Sequence, residues 1–232
     1  MKLGILTGAW KRYGIFDIFC QSIARYRDTL EIIPLCVGSD PKIKNMCQEH
    51  DIIYKYHPNR PLSSKFQFGL SQLRSYKPDY VLMLGSDDII CDNLIKRYMQ
   101  EFDKGTDFIG VTDCYFYDTN LAKLFYWDGY TNHRKGESSG AGRCFSAKLL
   151  NKLQWMLWDC RINGGLDGCM SKRLSKFAYS QTILNCLDED MILLDIKDHN
   201  NISKIKTYGK ILECNTILLN RYFHEGTVSP NT

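Results

Sequence analysis

The chain has 232 residues, 44% of them apolar and 24% charged, a balance that suits one well-buried α/β domain or one domain with a small lobe. A net charge of +4 is too mild to demand a nucleic-acid partner, and no apolar run approaches membrane-spanning length. The ten cysteines show no C-x-x-C pair and no regular spacing, which argues against a zinc site or a disulfide framework and for buried thiols in a reducing compartment. With an N-terminal apolar run too short for a signal peptide, the expected location is the cytoplasm.

Lys2 to Thr7 reads as a first strand, and Gly8-Ala9-Trp10-Lys11-Arg12-Tyr13-Gly14 as the loop that leaves it. Ile15, Phe16, Phe19, Ile23 and Tyr26 then fall at helical spacing. Ile32 to Val37 is a second strand ending in Gly38-Ser39-Asp40-Pro41, where Asp40 caps and Pro41 opens a short helix carrying Ile43, Met46 and Cys47. Ile52 to Tyr54 is a third, short strand. A loop with Pro58 and Pro61 leads to a helix marked by Phe66, Leu70 and Leu73. Strands and helices at this pace imply right-handed crossovers and a largely parallel sheet.

Tyr80-Val81-Leu82-Met83-Leu84 comes next, an apolar run with the look of a strand buried on both faces. It ends in Gly85-Ser86-Asp87-Asp88. Ligands of open α/β sheets bind beyond the carboxyl ends of strands. Two adjacent acids there repel unless they are solvated or bridged by a cation, and hard oxygen ligands suit Mg²⁺ or Mn²⁺. The competing reading is a solvated turn before an acidic helix start, capped by Asp92.

Leu94, Ile95, Tyr98, Met99 and Phe102 form the inner face of that helix, and Phe108 to Val111 is another strand. Tyr115-Phe116-Tyr117 faces Leu124-Phe125-Tyr126-Trp127 across Asp118-Thr119-Asn120, an aromatic hairpin whose residues pack a core or wall an acceptor site. Gly136 to Gly142 reads as a mobile glycine- and serine-rich loop. Ser146 caps a helix with Leu149, Leu150, Leu153, Met156 and Leu157 on one face. Gly164-Gly165-Leu166-Asp167-Gly168 opens another, and Met191 to Ile196 is the last clear strand, left through Lys197-Asp198-His199. The expectation is a single domain over residues 1–224, with a nucleotide-binding half over about 1–105, a smaller hairpin-bearing acceptor half over about 106–224, and a loose tail over 225–232.

In element order over most of residues 2–200 the chain resembles the GT-A fold glycosyltransferases, family 2. Thr7-Gly8-Ala9-Trp10-Lys11-Arg12 stands at the family's T-Y-N-R-like turn, Gly38-Ser39-Asp40 at its D-D-G-S-x-D stretch, and Gly85-Ser86-Asp87-Asp88 at its D-S-D-D metal motif. Gly85 replaces the leading acid, and Leu35-Cys36-Val37 lacks the acids that often contact the base. The resemblance implies a mainly parallel GT-A-like sheet, a UDP- or GDP-sugar donor and a Mn²⁺ or Mg²⁺ cofactor held by Asp87 and Asp88. It places Thr7, Trp10 and Arg12 on the nucleotide, with Trp10 stacking on the base and Arg12 forked onto phosphate. Ser39 and Ser86 belong to the same donor-binding turns, and Lys65 reaches the same anion. Packing or surface roles compete for Trp10 and Lys65.

Asp167, the acid where the family places an E-D or D-D pair, becomes the base that takes the acceptor's proton; the competing role is to complement a helix dipole. His199 matches the C-terminal histidine that serves as a third metal ligand in some enzymes of this fold, against a purely structural histidine. The implied function is metal-dependent transfer of a hexosyl or pentosyl group from a nucleotide-sugar to a hydroxyl of a glycan, protein, lipid-linked sugar or hydroxymethylated DNA base. The alternatives are a sugar nucleotidyltransferase, whose G-x-G-T-R-x-x-P loop is not matched, and a non-catalytic nucleotide- or sugar-binding module.

Overall fold

A computed structural model describes residues 1–158, 161–199, 201, 205–208 and 210–223; the expected loose tail lies outside these. The first third of the chain alternates strand and helix as its apolar spacing predicts. The elements are β1 (Lys2–Gly8), α1 (Tyr13–Ala24), β2 (Glu31–Gly38), α2 (Pro41–Glu49), β3 (Ile53–Tyr56), α3 (Leu62–Leu73) and β4 (Tyr80–Met83). Asp40 caps α2 by accepting the Lys42 N–H at 2.9 Å, with Pro41 in the first turn. There follow β5 (Asp88–Ile90), α4 (Asp92–Asp103), β6 (Phe108–Val111), β7 (Cys114–Asp118), β8 (Lys123–Trp127), β9 (Arg143–Ser146), α5 (Ala147–Lys152), α6 (Leu166–Leu174), β10 (Gln181–Leu184), β11 (Leu193–Lys197), β12 (Ile211–Cys214) and α7 (Ile217–Tyr222).

Seven strands form the central sheet in the order β10-β6-β9-β4-β1-β2-β3, all pairs parallel except those of β9, which runs antiparallel to both neighbours. A second sheet has the order β12-β8-β7-β11-β5 and is antiparallel except between β7 and β11. The two sheets exchange strands across the expected halves. β5 leaves the first half to pair with β11, and β9 comes from the second half to sit between β4 and β6. The fold is a mixed α/β, GT-A-like domain with a mainly parallel central sheet.

Period-two alternation explains why the central strands are apolar throughout. On β1, Leu3 and Ile5 join a core with α1, α4 and the second sheet, while Leu6 joins a core with α3, α5 and α6; on β4, Leu82 and Val81 divide the same way. Gly69 of α3 sits so close to the sheet that a Cβ there would meet Leu6 Cδ1 and Val37 Cγ2 at 2.5 Å.

Three local expectations change. The helix expected through Leu157 stops at Lys152, although Ser146 caps it as foreseen by accepting the Leu149 N–H at 3.0 Å. Gln154 and Trp155 turn left-handed, and Gln67 Oε1 on α3 accepts the N–H groups of Leu157 and Trp158 at 2.9 and 3.1 Å. Tertiary hydrogen bonds satisfy the backbone that a longer helix would have satisfied itself. Asp92 lies in the first turn of α4, and Cys91 holds the cap position. The Gly136–Gly142 loop is tied down: Ser138 and Ser139 are buried, and Ser139 N–H donates to the Val111 carbonyl at 2.6 Å.

Candidate active site

The acidic turn joins β4 to β5. Gly85 N–H donates to Asp88 Oδ2 at 2.5 Å and folds that carboxylate back over the turn. A Cβ on residue 85 would lie 2.6 Å from Asp87 Oδ1 and 2.8 Å from Asp88 Oδ2, so glycine is what leaves room for both. Pairing of β5 with β11 sets Asp88 opposite Asp195, and the Asp87 carbonyl accepts the Ile196 N–H at 2.8 Å. Oxygens of Asp87, Asp88 and Asp195 thereby gather within 4.8 Å of one another, forming the metal-capable group among the described residues.

Two cations reach this group. Arg12 donates to Asp87 Oδ2 at 2.9 Å and to the Ile196 carbonyl at 2.7 Å, with its Nε 3.2 Å from Asp198 Oδ1. Lys11 and Arg12 both adopt left-handed backbone (φ 57° and 54°), a conformation disfavoured by about 1 kcal/mol or more per residue; the Arg12 ion pairs compensate. Lys197 Nζ lies 2.5 Å from Asp195 Oδ2, and Asn201 donates to Asp87 Oδ2 at 2.8 Å.

Burial opposes the Asp87 charge, but Lys197, Arg12 and Asn201 together outweigh it and hold its pKa below the ordinary carboxylate value. Asp88 is raised well above that value, by burial first and then by the charges of Asp195 and Asp87. Asp195 is pushed up to about 7 by burial and by Asp87, against the pull of Lys197. Asp195 Oδ1 is moreover buried with no hydrogen-bond partner among the described residues. A hard divalent cation answers both the crowding and the orphaned oxygen, so these residues fit Mn²⁺ or Mg²⁺.

Beside the turn, the loop after β1 lies against the end of β2: Ala9 N–H donates to the Val37 carbonyl at 3.1 Å. Lys65 of α3 is 1% exposed and donates to the Ala9 carbonyl at 3.0 Å and to Asn59 Oδ1 at 2.9 Å. With no carboxylate bound to it among the described residues, burial lowers its pKa to about 8. Thr7 is buried with its Oγ1 unpartnered among the described residues.

A pocket of about 150 Å³ opens from the acidic turn, lined by Gly85, Met83, Phe66, Trp158, Met170 and Asp167, among others. Asp167 stands in the first turn of α6, after Gly165 in left-handed backbone. Its Oδ2 accepts the Tyr130 hydroxyl and Arg134 Nη2, the latter at 3.0 Å, and Arg134 lies 3.6 Å over the Tyr130 ring. Burial would raise the Asp167 pKa, but these two donors win and lower it. Arg143, wholly buried, donates to the carbonyls of Ser138, Ser139 and Asp167 at 2.9, 2.8 and 3.1 Å, locking the preceding loop to the start of α6.

The profile of Glycosyl transferase family 2 matches residues 17–158, well over half of the chain. The chain belongs to glycosyltransferase family 2. No curated protein matches its sequence. Among solved structures, S. aureus TarS 1-349 superposes with a TM-score of 0.58 at 13% identity, over 84% of this chain and 60% of that one, so the chain spans about three-fifths of the TarS fragment. The same fragment in complex with UDP gives 0.50 at 14% identity, over 81% of this chain and 62% of that one. The 4-diphosphocytidyl-2C-methyl-D-erythritol synthase of Anaerococcus prevotii gives 0.52 at 14% identity, over 80% and 86%. These likenesses concern the fold.

In this family-2 chain, the structure gathers Arg12, Asp87 and Asp88 into one polar cluster, with Ser86 in the same turn. Thr7 and Lys65 flank the neighbouring loop, and Ser39 follows β2 at the same sheet edge. Arg12 here engages Asp87 and Asp198. Trp10 is 47% exposed, with Lys11 Nζ 4.5 Å over its ring. His199 is exposed and stands outside the carboxylate group, whose third member is Asp195. Sequence reasoning gave no site role to Asp195, Tyr130, Arg134 or Arg143, and named Lys197 only as the start of the loop that leaves the last strand. Asp195 and Lys197 did leave a signal, two charges at alternate positions of the otherwise apolar Leu193-Leu194-Asp195-Ile196-Lys197, since buried charges are rare without a partner. Tyr130 and the one-turn helix that carries Arg134 lie between β8 and β9, and their pairing with Asp167 has no sequence period.

Proposed function

We propose that this family-2 member transfers a sugar from a UDP- or GDP-sugar to an acceptor hydroxyl. The pocket carries this reading: Gly85, which begins the acidic turn, and Asp167 line the same cavity, so a donor diphosphate at the turn and an acceptor at Asp167 would meet across it. Asp87, Asp88 and Asp195 would hold Mn²⁺ or Mg²⁺, which when bound neutralises charge on the departing nucleoside diphosphate. Thr7, Trp10, Ser39, Lys65 and Ser86 border the donor side, and Arg12 keeps Asp87 ionised and in place. Asp167 would accept the acceptor's proton. Tyr130 and Arg134 hold it ionised, and an acceptor hydroxyl that displaces the cationic Arg134 would raise its basicity. The apolar part of the pocket, Phe66, Met83, Trp158 and Met170, would exclude water from the reacting centre. The acceptor itself remains a glycan, protein, lipid-linked sugar or modified DNA.

Asp87→Asn preserves shape and removes the charge. We expect calorimetry with UDP and GDP, each with and without Mn²⁺, to show that metal-dependent binding is lost in this variant while circular dichroism shows it folded. Unchanged nucleotide and metal affinity in Asp87→Asn would refute the assignment.

A further inference from the structure

Lys197 is a buried lysine, 6% exposed, in an unusual setting. Its Nζ lies 5.3 Å from the centre of the Phe116 ring and 5.5 Å from that of Tyr208, and ends 2.5 Å from Asp195 Oδ2. Two residues apart on β11, Lys197 and Asp195 leave the same face of the strand. Two rings and a carboxylate thus fix the ammonium, unlike a surface lysine that swings in solvent. Arg12 donates to Asp87 and to the Ile196 carbonyl and forms an ion pair with Asp198, and Asn201 serves Asp87. Lys197 is therefore the one cation paired with Asp195 among the described residues, while the other Asp195 oxygen has no partner.

We infer that Lys197 is a resident counter-ion that competes with the divalent cation for Asp195. This rests on reading the acidic turn as a metal site. Charges of +1 and +2 that share one carboxylate repel, and a buried site offers little water to screen them. Free metal therefore binds weakly, because the cluster already contains part of its positive charge. A nucleoside diphosphate adds the anionic oxygens that offset the repulsion, so the metal enters with the diphosphate and not ahead of it. In the absence of donor, Lys197 keeps the carboxylates together.

The test is Mn²⁺ binding in the absence of nucleotide, followed by calorimetry or by the electron paramagnetic resonance of free Mn²⁺. Lys197→Met keeps an unbranched side chain of nearly the same length and removes its charge; Lys197→Arg keeps the charge. We expect Lys197→Met to bind Mn²⁺ at least tenfold more tightly than the wild type and Lys197→Arg to stay within about threefold of it. Equal or weaker binding by a folded Lys197→Met overturns the inference. A second measurement does not depend on Lys197→Met: the wild-type lysine Cε–Hε resonance of Lys197, assigned by its absence in Lys197→Arg, should shift as Mg²⁺ saturates the site, and an unmoved resonance at saturation also overturns it. If wild type binds no Mn²⁺ even with UDP or GDP present, the metal reading fails and this inference with it. If wild type binds Mn²⁺ and Asp87→Asn does not, the metal reading stands and the Lys197 comparison alone decides.

Discussion

Asp167 receives two donors on one carboxylate oxygen, an arrangement that serves a base held in place and a dipole partner alike. The two roles separate in one variant. As a base, Asp167→Asn should lower transfer about 10²–10⁴-fold with donor affinity unchanged. As a dipole partner, it should cost about 0.3–1 kcal/mol of stability and leave turnover near normal. Rate and melting temperature measured on the same sample decide. Lys65 makes a pH prediction. Its folded pKa, about 8, lies below the unfolded value of about 10.4. Between those values the unfolded chain binds the extra proton, so stability rises with pH through this window, and the penalty for burying the charged form is fully present below it. Relative to Lys65→Met, the wild type should gain on the order of 3 kcal/mol between pH 8 and 10.5. Urea titrations with a constant difference between the two proteins across that range would count against a buried ammonium held by neutral acceptors.

At the scale of elements, α3 is pressed against β1 and β2 through Gly69. Alanine is worth about 1 kcal/mol over glycine in a helix, but its Cβ would meet two branched side chains at 2.5 Å, from Leu6 and Val37. Overpacking of this kind typically costs 1–3 kcal/mol, so Gly69→Ala should be net destabilising by about 1 kcal/mol in chemical denaturation; a more stable variant would show that the helix can withdraw. Elements with a strong local period were legible in the sequence: β1, β2, β4, the aromatic hairpin β7–β8, and α4 with Leu94, Ile95, Tyr98 and Phe102 inward. β5, β9, β10 and β12 were not, because each is three or four residues that mix polar with apolar side chains, and what makes them strands is a partner far away in the chain. For β9 that partner is β4, and for β5 it is β11. The site was legible in the same measure. Asp87 and Asp88 announce themselves by adjacency after a strand, whereas Asp195 joins them only through pairing across about a hundred residues.

For the molecule as a whole, the exchange of β5 and β9 between the sheets ties the halves into shared cores. A nucleotide-binding half over about 1–105 is thus a proposal about function and not about folding. Expressed alone, residues 1–105 leave β4 without β9 and β5 without β11, and we expect no cooperative melt by circular dichroism; a sharp transition would show an autonomous unit. No helix among the described residues is long and apolar enough to cross a membrane.

The β5–β11 register also has a consequence in time. Synthesis proceeds from the N-terminus, so Asp87 and Asp88 emerge from the ribosome while Asp195 is still about a hundred codons away. Until β11 docks, the nascent chain carries two neighbouring acids with neither the third carboxylate nor Lys197 beside them. Assembly of the site is therefore a late event, scheduled by the order of the gene, and a chain stalled before residue 190 would hold the early strands of the central sheet without the means to act on a donor.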